Sequence, residues 1–119
     1  MKYTSYEELL EFALDKADKF SLVWRNFAFD DSAFRLIEDL QPWLLSDYSS
    51  SSWPGTEISG EKARVKTYEV NPQTIELLKC VSSVFEWQAP KYPEDLAFYR
   101  DKEVLFGSVA HEGDAWFTI

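Results

Sequence analysis

From Pro90 to Ile119 the chain alternates between apolar and polar positions, turns, alternates and turns again. Leu96–Arg100, Glu103–Ala110 and Ala115–Ile119 are rich in aromatic and β-branched residues. Asp101-Lys102 and Glu112-Gly113-Asp114 separate them as short hairpin connections, with Gly113 supplying a positive φ. Three such strands predict an antiparallel meander, and a meander needs a cover for its apolar face. In the middle strand Leu105, Gly107 and Val109 alternate with Val104, Phe106 and Ser108, so both faces carry apolar residues. Gly107 in mid-strand predicts a bulge or a close approach by another element. In the last strand Ala115, Phe117 and Ile119 share one face, Trp116 and Thr118 the other.

The cover is expected from helices upstream. Ser5 with Glu8 three residues on fits a capping box, and Tyr6, Leu9, Leu10, Ala13, Ala17 and Phe20 recur at helical spacing. This predicts an amphipathic helix over about Tyr6–Lys19, its acids on the solvent side. Phe20–Phe29 reads as an extended packing segment or a strand. Asp30, Asp31 and Ser32 offer the next N-cap, and Phe34, Ile37, Leu40 and Leu44 or Leu45 predict a second helix that kinks at Pro42 or restarts after Gln41. Ser46–Gly60 is serine-rich and carries the turn signal Pro54-Gly55, so it reads as a loop. Trp53, one of its two aromatics with Tyr48, either docks that loop on the body or presents a ring to a partner. Ala63–Val70 alternates as a strand whose Arg64 and Lys66 suit an edge. Asn71-Pro72 then caps a third helix running to about Val84. The fold class is therefore a single α+β domain over residues 1–119, a C-terminal antiparallel meander plus one further strand packed against about three helices.

Charge and composition narrow the function classes. The chain has 119 residues and a net charge of −9, with ten acids against five bases in residues 1–50 and eleven against seven in 51–119. That balance argues against nucleic acid or an anionic membrane as principal partner, because phosphate contacts need clustered Lys and Arg. It suits solubility or a basic protein partner. The aromatic share of 17% is high; core packing can absorb much of it, and a surplus would lie on a surface, where aromatics mark partner contacts. The single Cys80 excludes an intramolecular disulfide and falls in an apolar helical pattern, so it is expected to be buried. The N-terminal stretch lacks a secretory pattern and no segment has bilayer length, so a cytoplasmic location is expected.

Candidate chemistry is sparse. The one histidine, His111, is followed by Glu112, but neighbours on a strand point to opposite faces and no second His or paired Cys completes a metal set. Neither a nucleophile elbow, a P-loop nor a dinucleotide fingerprint is present, so no catalytic residue, metal or cofactor is assigned. His111 and Glu112 are expected to make polar contacts at a hairpin end, with Arg100 across the ladder.

Trp53-Pro54-Gly55-Thr56, then Pro93–Arg100 (PEDLAFYR), then Ser108–Glu112 (SVAHE) together resemble a group of small bacterial proteins with WPGT, PEDL-aromatic and HE elements. Some members of that group are labelled as stage III sporulation AH-type proteins. The resemblance covers roughly Phe20–Ile119 and implies one cytosolic α+β domain, with no reaction or catalytic residue. Size, acidity and aromatic content also give a general likeness to immunity proteins. The leading expectation is a non-enzymatic protein-binding module of immunity (antitoxin) type, facing a basic toxin domain with Trp53, Glu57, Glu94, Asp95, Glu112 and Asp114. The alternative is a small-ligand or enzymatic pocket between the Trp53 loop and the His111-Glu112 turn, using Arg100, His111 and Glu112. A homo-oligomer through an exposed strand edge is the third reading.

Overall fold

The computed structural model describes residues 2–25 and 28–118, so Ile119 and part of the Phe20–Phe29 segment lie outside the described residues. Helix α1, Tyr6–Lys16, starts where expected: the Ser5 side chain accepts from the Glu8 amide, with Glu7 and Glu8 in the first turn. Strand β1 follows at Lys19–Trp24, so the ambiguous segment is a strand as far as Trp24. Helix α2, Asp31–Leu40, stops before Pro42, and Gln41–Trp43 forms a single 3₁₀ turn.

The next segment departs from expectation. Leu44–Ser50 is strand β2 rather than helix end and loop. Ser52–Trp53 (β3) and Thr56–Glu57 (β4) then form a small hairpin whose turn is Pro54-Gly55. Strand β5 is Ala63–Glu69, and helix α3 is Pro72–Leu78, shorter than expected. A capping box fixes the start of α3: Asn71 Oδ1 accepts from the Thr74 amide and Thr74 Oγ1 from the Asn71 amide, both at 2.9 Å. Cys80 lies beyond the end of α3 and is exposed, correcting the expectation of a buried thiol. After a 3₁₀ turn at Val84–Glu86 come the three meander strands, β6 Glu94–Arg100, β7 Glu103–Val109 and β8 Asp114–Phe117.

Six strands make one antiparallel sheet in the order β2-β5-β1-β6-β7-β8, two strands more than the meander and one companion. β5 is an interior strand and β2 the edge, so Arg64 and Lys66 do not blunt a free edge; they pair instead with Asp47 of β2, at 2.8 and 3.8 Å. The side-chain period of two gives the sheet two distinct faces. Phe20 and Leu22 of β1, Tyr68 of β5, Leu96 and Phe98 of β6 and Phe106 of β7 point to the helices and form the main core with Leu9, Leu10, Leu36, Leu40 and Leu78. At its centre the buried Tyr6 hydroxyl donates to the Leu78 carbonyl at 2.6 Å and accepts from Trp87 Nε1 at 3.2 Å. Burial pushes that hydroxyl's pKa well up. The opposite face carries a second, smaller cluster of Val23, Ala63, Val65 and Trp53, with Ile58 packed on it. The β3–β4 hairpin therefore roofs one end of this face. The other end stays open as a cleft of about 560 Å³ beside Leu45, Tyr48, Thr67 and Tyr99.

Replacing Tyr6 by Phe strands a buried carbonyl and a buried indole N–H together. The expected cost is about 1–3 kcal/mol, read as a lower urea midpoint at unchanged slope.

Candidate functional site

The Trp53–Thr56 segment, the start of Pro93–Arg100 and the Ser108–Glu112 segment meet at one corner of the sheet, and one residue joins them. β1 and β6 pair in register at Ser21↔Ala97 but at Val23↔Glu94 one residue has slipped, so Asp95 and Leu96 both oppose Leu22. Within this bulge Asp95 takes φ +57°, a left-handed conformation that Asp tolerates better than most side chains. The twist aims its carboxylate at both neighbouring elements. Oδ2 accepts from Trp53 Nε1 at 2.9 Å and Oδ1 from the Ala110 backbone N–H at 3.1 Å. Ala110 opens the 3₁₀ turn Ala110–Glu112 that holds His111. Both bonds have a charged acceptor and are buried, which makes them stronger than neutral surface bonds.

Glycine backbone completes the closure. Gly55, at φ +85°, supplies the left-handed position that the Pro54-Gly55 turn requires. A Cβ there would collide with the Trp116 ring and stand 2.9 Å from Val109 Cγ2; one on Gly107 would stand 2.6 Å from Trp116 Cζ2. Trp116 thus lies against Gly107 and against the hairpin tip. This is the close approach that the mid-strand glycine implied.

Glu94, next in sequence to Asp95, has a different environment. Its residue is 7% exposed and Oε1 has no hydrogen-bond partner among the described residues. Burial, reinforced by the Asp95 charge, raises its pKa above the ordinary 4.5, while the Arg25 and His111 charges pull the other way. Arg25 also lies over the Trp53 ring, 5.9 Å from its centroid.

The expected site residues divide accordingly. Trp53, Glu94 and Asp95 are 8%, 7% and 4% exposed, so Trp53 docks its loop and the two acids face inward, not toward a partner. Glu57, Glu112 and Asp114 are exposed around the same corner, on the hairpin, the 3₁₀ turn and the start of β8. His111 and Glu112 lie side by side in a turn rather than on a strand, Nε2 to Oε1 4.0 Å. Arg100 is not with them. It ends β6 at the opposite end from Glu94, six residues or about 20 Å of strand away. There it sits opposite Glu103 and donates from Nη1 to the Lys16 carbonyl at 3.1 Å. The cation that the fold brings to the corner is Arg25, from the far end of the chain's first strand. Ser108 is buried, and its Oγ donates to the Leu96 carbonyl at 2.7 Å.

Two substitutions separate the neighbouring acids. Asp95→Ala unpairs two buried donors and leaves a left-handed alanine, an expected loss of about 3 kcal/mol or more by urea unfolding. Glu94 acts through its proton. A carboxyl whose pKa is raised on folding holds its proton more tightly in the folded chain. Its contribution to stability is therefore whole below about 4.5 and is lost as pH rises through the raised value. Glu94→Gln should remove that fall, so the two unfolding midpoints, compared stepwise upward from pH 4.5, draw apart with pH in favour of Gln. Parallel profiles would show that Glu94 is not the group responsible.

No protein-family model matches the chain, and no curated protein or solved structure matches it either.

Proposed function

We propose that the protein is a non-enzymatic protein-binding module of the immunity type, which meets a basic surface of its partner with carboxylates held on fixed loops. The observation that carries this reading is the Asp95 junction. It ties the hairpin bearing Glu57 to the turn bearing Glu112, with Asp114 close behind. Loops that are ordered before binding lose little entropy on binding, so their exposed charges act at full effect. A net charge of −9 adds long-range attraction for a cationic partner and raises the encounter rate.

The pocket alternative keeps one observation in its favour, the unpartnered Glu94 Oε1 beside Arg25 and His111. In that reading Glu94→Gln abolishes ligand binding. In the module reading it leaves partner affinity within about twofold, because the group is buried.

The test is affinity capture from the cells that make the protein, at low salt and at about 0.5 M. A basic protein retained at low salt, released at high salt and lost from a Glu57→Lys/Glu112→Lys/Asp114→Lys bait is the expected result. Capture that is indifferent to both salt and charge reversal would remove the reading.

A further inference from the structure

A second surface lies on the helical side, away from the corner. Along α1, Tyr6, Leu10 and Leu14 follow one another at four-residue spacing and so share a face. Ile75 and Lys79 of the α3 segment and Val81 just beyond form the facing wall, leaving a groove of about 410 Å³. Its floor is apolar and nearly closed, Tyr6, Leu10, Ile75 and Val81 each being 3–6% exposed, while Leu14 at the open end is 46% exposed. Glu7 and Glu11 edge the groove on the α1 side, and among the described residues neither forms an ion pair. The cation on the other wall, Lys79, is already paired with Glu76 at 3.0 Å. The groove is thus apolar inside and negative at its rim.

We propose that this groove docks an amphipathic basic helix of a protein partner, a proposal that rests on the reading of the chain as a binder of basic proteins. The geometry favours a helix. The row Tyr6–Leu14 extends about 12 Å, roughly two helical turns, and side chains of a guest helix fit between the ridges of α1 and α3. Apolar guest residues at i and i+4 pack on Leu14 and the mouth of the groove, and flanking Lys or Arg meet Glu7 and Glu11. Charge selects against a second copy of the chain, which brings −9 to an already negative rim.

The test uses a fluorescent 14-residue peptide of leucine and lysine at helical spacing, and its counterpart with glutamate for lysine, titrated by anisotropy. The lysine peptide binds and the glutamate peptide does not. Leu14→Lys and Glu11→Lys each weaken binding about tenfold. Glu57→Lys, the same charge change as Glu11→Lys but made at the corner, changes it less than twofold. Leu14, Glu11 and Glu57 are all exposed, so unchanged thermal midpoints confirm that the variants fold. Equal losses for Glu11→Lys and Glu57→Lys mean attraction to net charge alone and overturn the groove. Binding lost only with Glu57→Lys overturns the groove while leaving the corner surface, and the broader reading, in place. Self-association that Leu14→Lys abolishes puts a second copy in the groove and overturns the proposal as well. If the lysine peptide does not bind, the groove assignment fails; a salt-sensitive basic partner captured in the same period would keep the broader reading, and its absence would end both.

Discussion

The Asp95 carboxylate ties three distant stretches of chain together: its own bulge, the indole of Trp53 forty-two residues earlier and the amide of Ala110 fifteen residues later. Few residue types fit this position. It needs a side chain that tolerates a left-handed backbone, is short enough to reach from a bulge, and offers two separate acceptor oxygens. Glu94 beside it shows what the same functional group does with one oxygen unpaired among the described residues. Buried and unbonded on one oxygen, it shifts toward its protonated form instead of organising neighbours. Two adjacent carboxyls thus differ: both oxygens of Asp95 accept buried N–H bonds, while Glu94 Oε1 accepts none among the described residues.

This junction also explains how a small hairpin of only two residue pairs stays folded on the sheet. Such a ribbon is not stable on its own in water. Trp53 contributes its ring to the Val23–Val65 cluster and its N–H to Asp95, while Trp116 fills the space under Gly55. Apolar burial supplies the bulk of the docking energy and the hydrogen bond fixes the orientation. The exposed acids of the corner inherit that rigidity. The helical groove stands on a different element pair and a different part of the core, so the two surfaces are structurally independent.

Local signals in the sequence found most of the fold. The capping residues Ser5 and Asn71, the Pro54-Gly55 turn, the left-handed Gly113 and the alternation of β6 and β7 each act within a few residues, where sequence and structure coincide. β2 escaped notice because Leu44–Ser50 is an edge strand with five of its seven residues exposed; a strand wet on this scale needs no apolar alternation and takes its order from β5. Trp53 was legible only as an open choice between docking its loop and presenting a ring to a partner, and the bond to Asp95 decides for docking. Arg25 was not legible, since only the pairing of β1 with β6 brings it near Glu94. Nor was the role of Asp95, although an aspartate at the start of an apolar strand is poorly suited to extended backbone, and that misfit was the available sign.

The sheet order has a consequence for the time at which the protein becomes a protein. β1, the earliest of the described strands in the chain, lies between β5 and β6, so both its edges wait for segments synthesised some forty and seventy residues later. Until the meander emerges, Phe20, Leu22 and Val23 have no complete sheet to enter, and α1 has only a partial floor. Folding of the sheet therefore waits for the meander, with long loops to close before the central pairings form. Through that interval the early acidic residues Glu7, Glu8, Glu11, Asp15 and Asp18 have a second use: they flank the apolar run from Phe20 and keep the nascent chain apart from its neighbours.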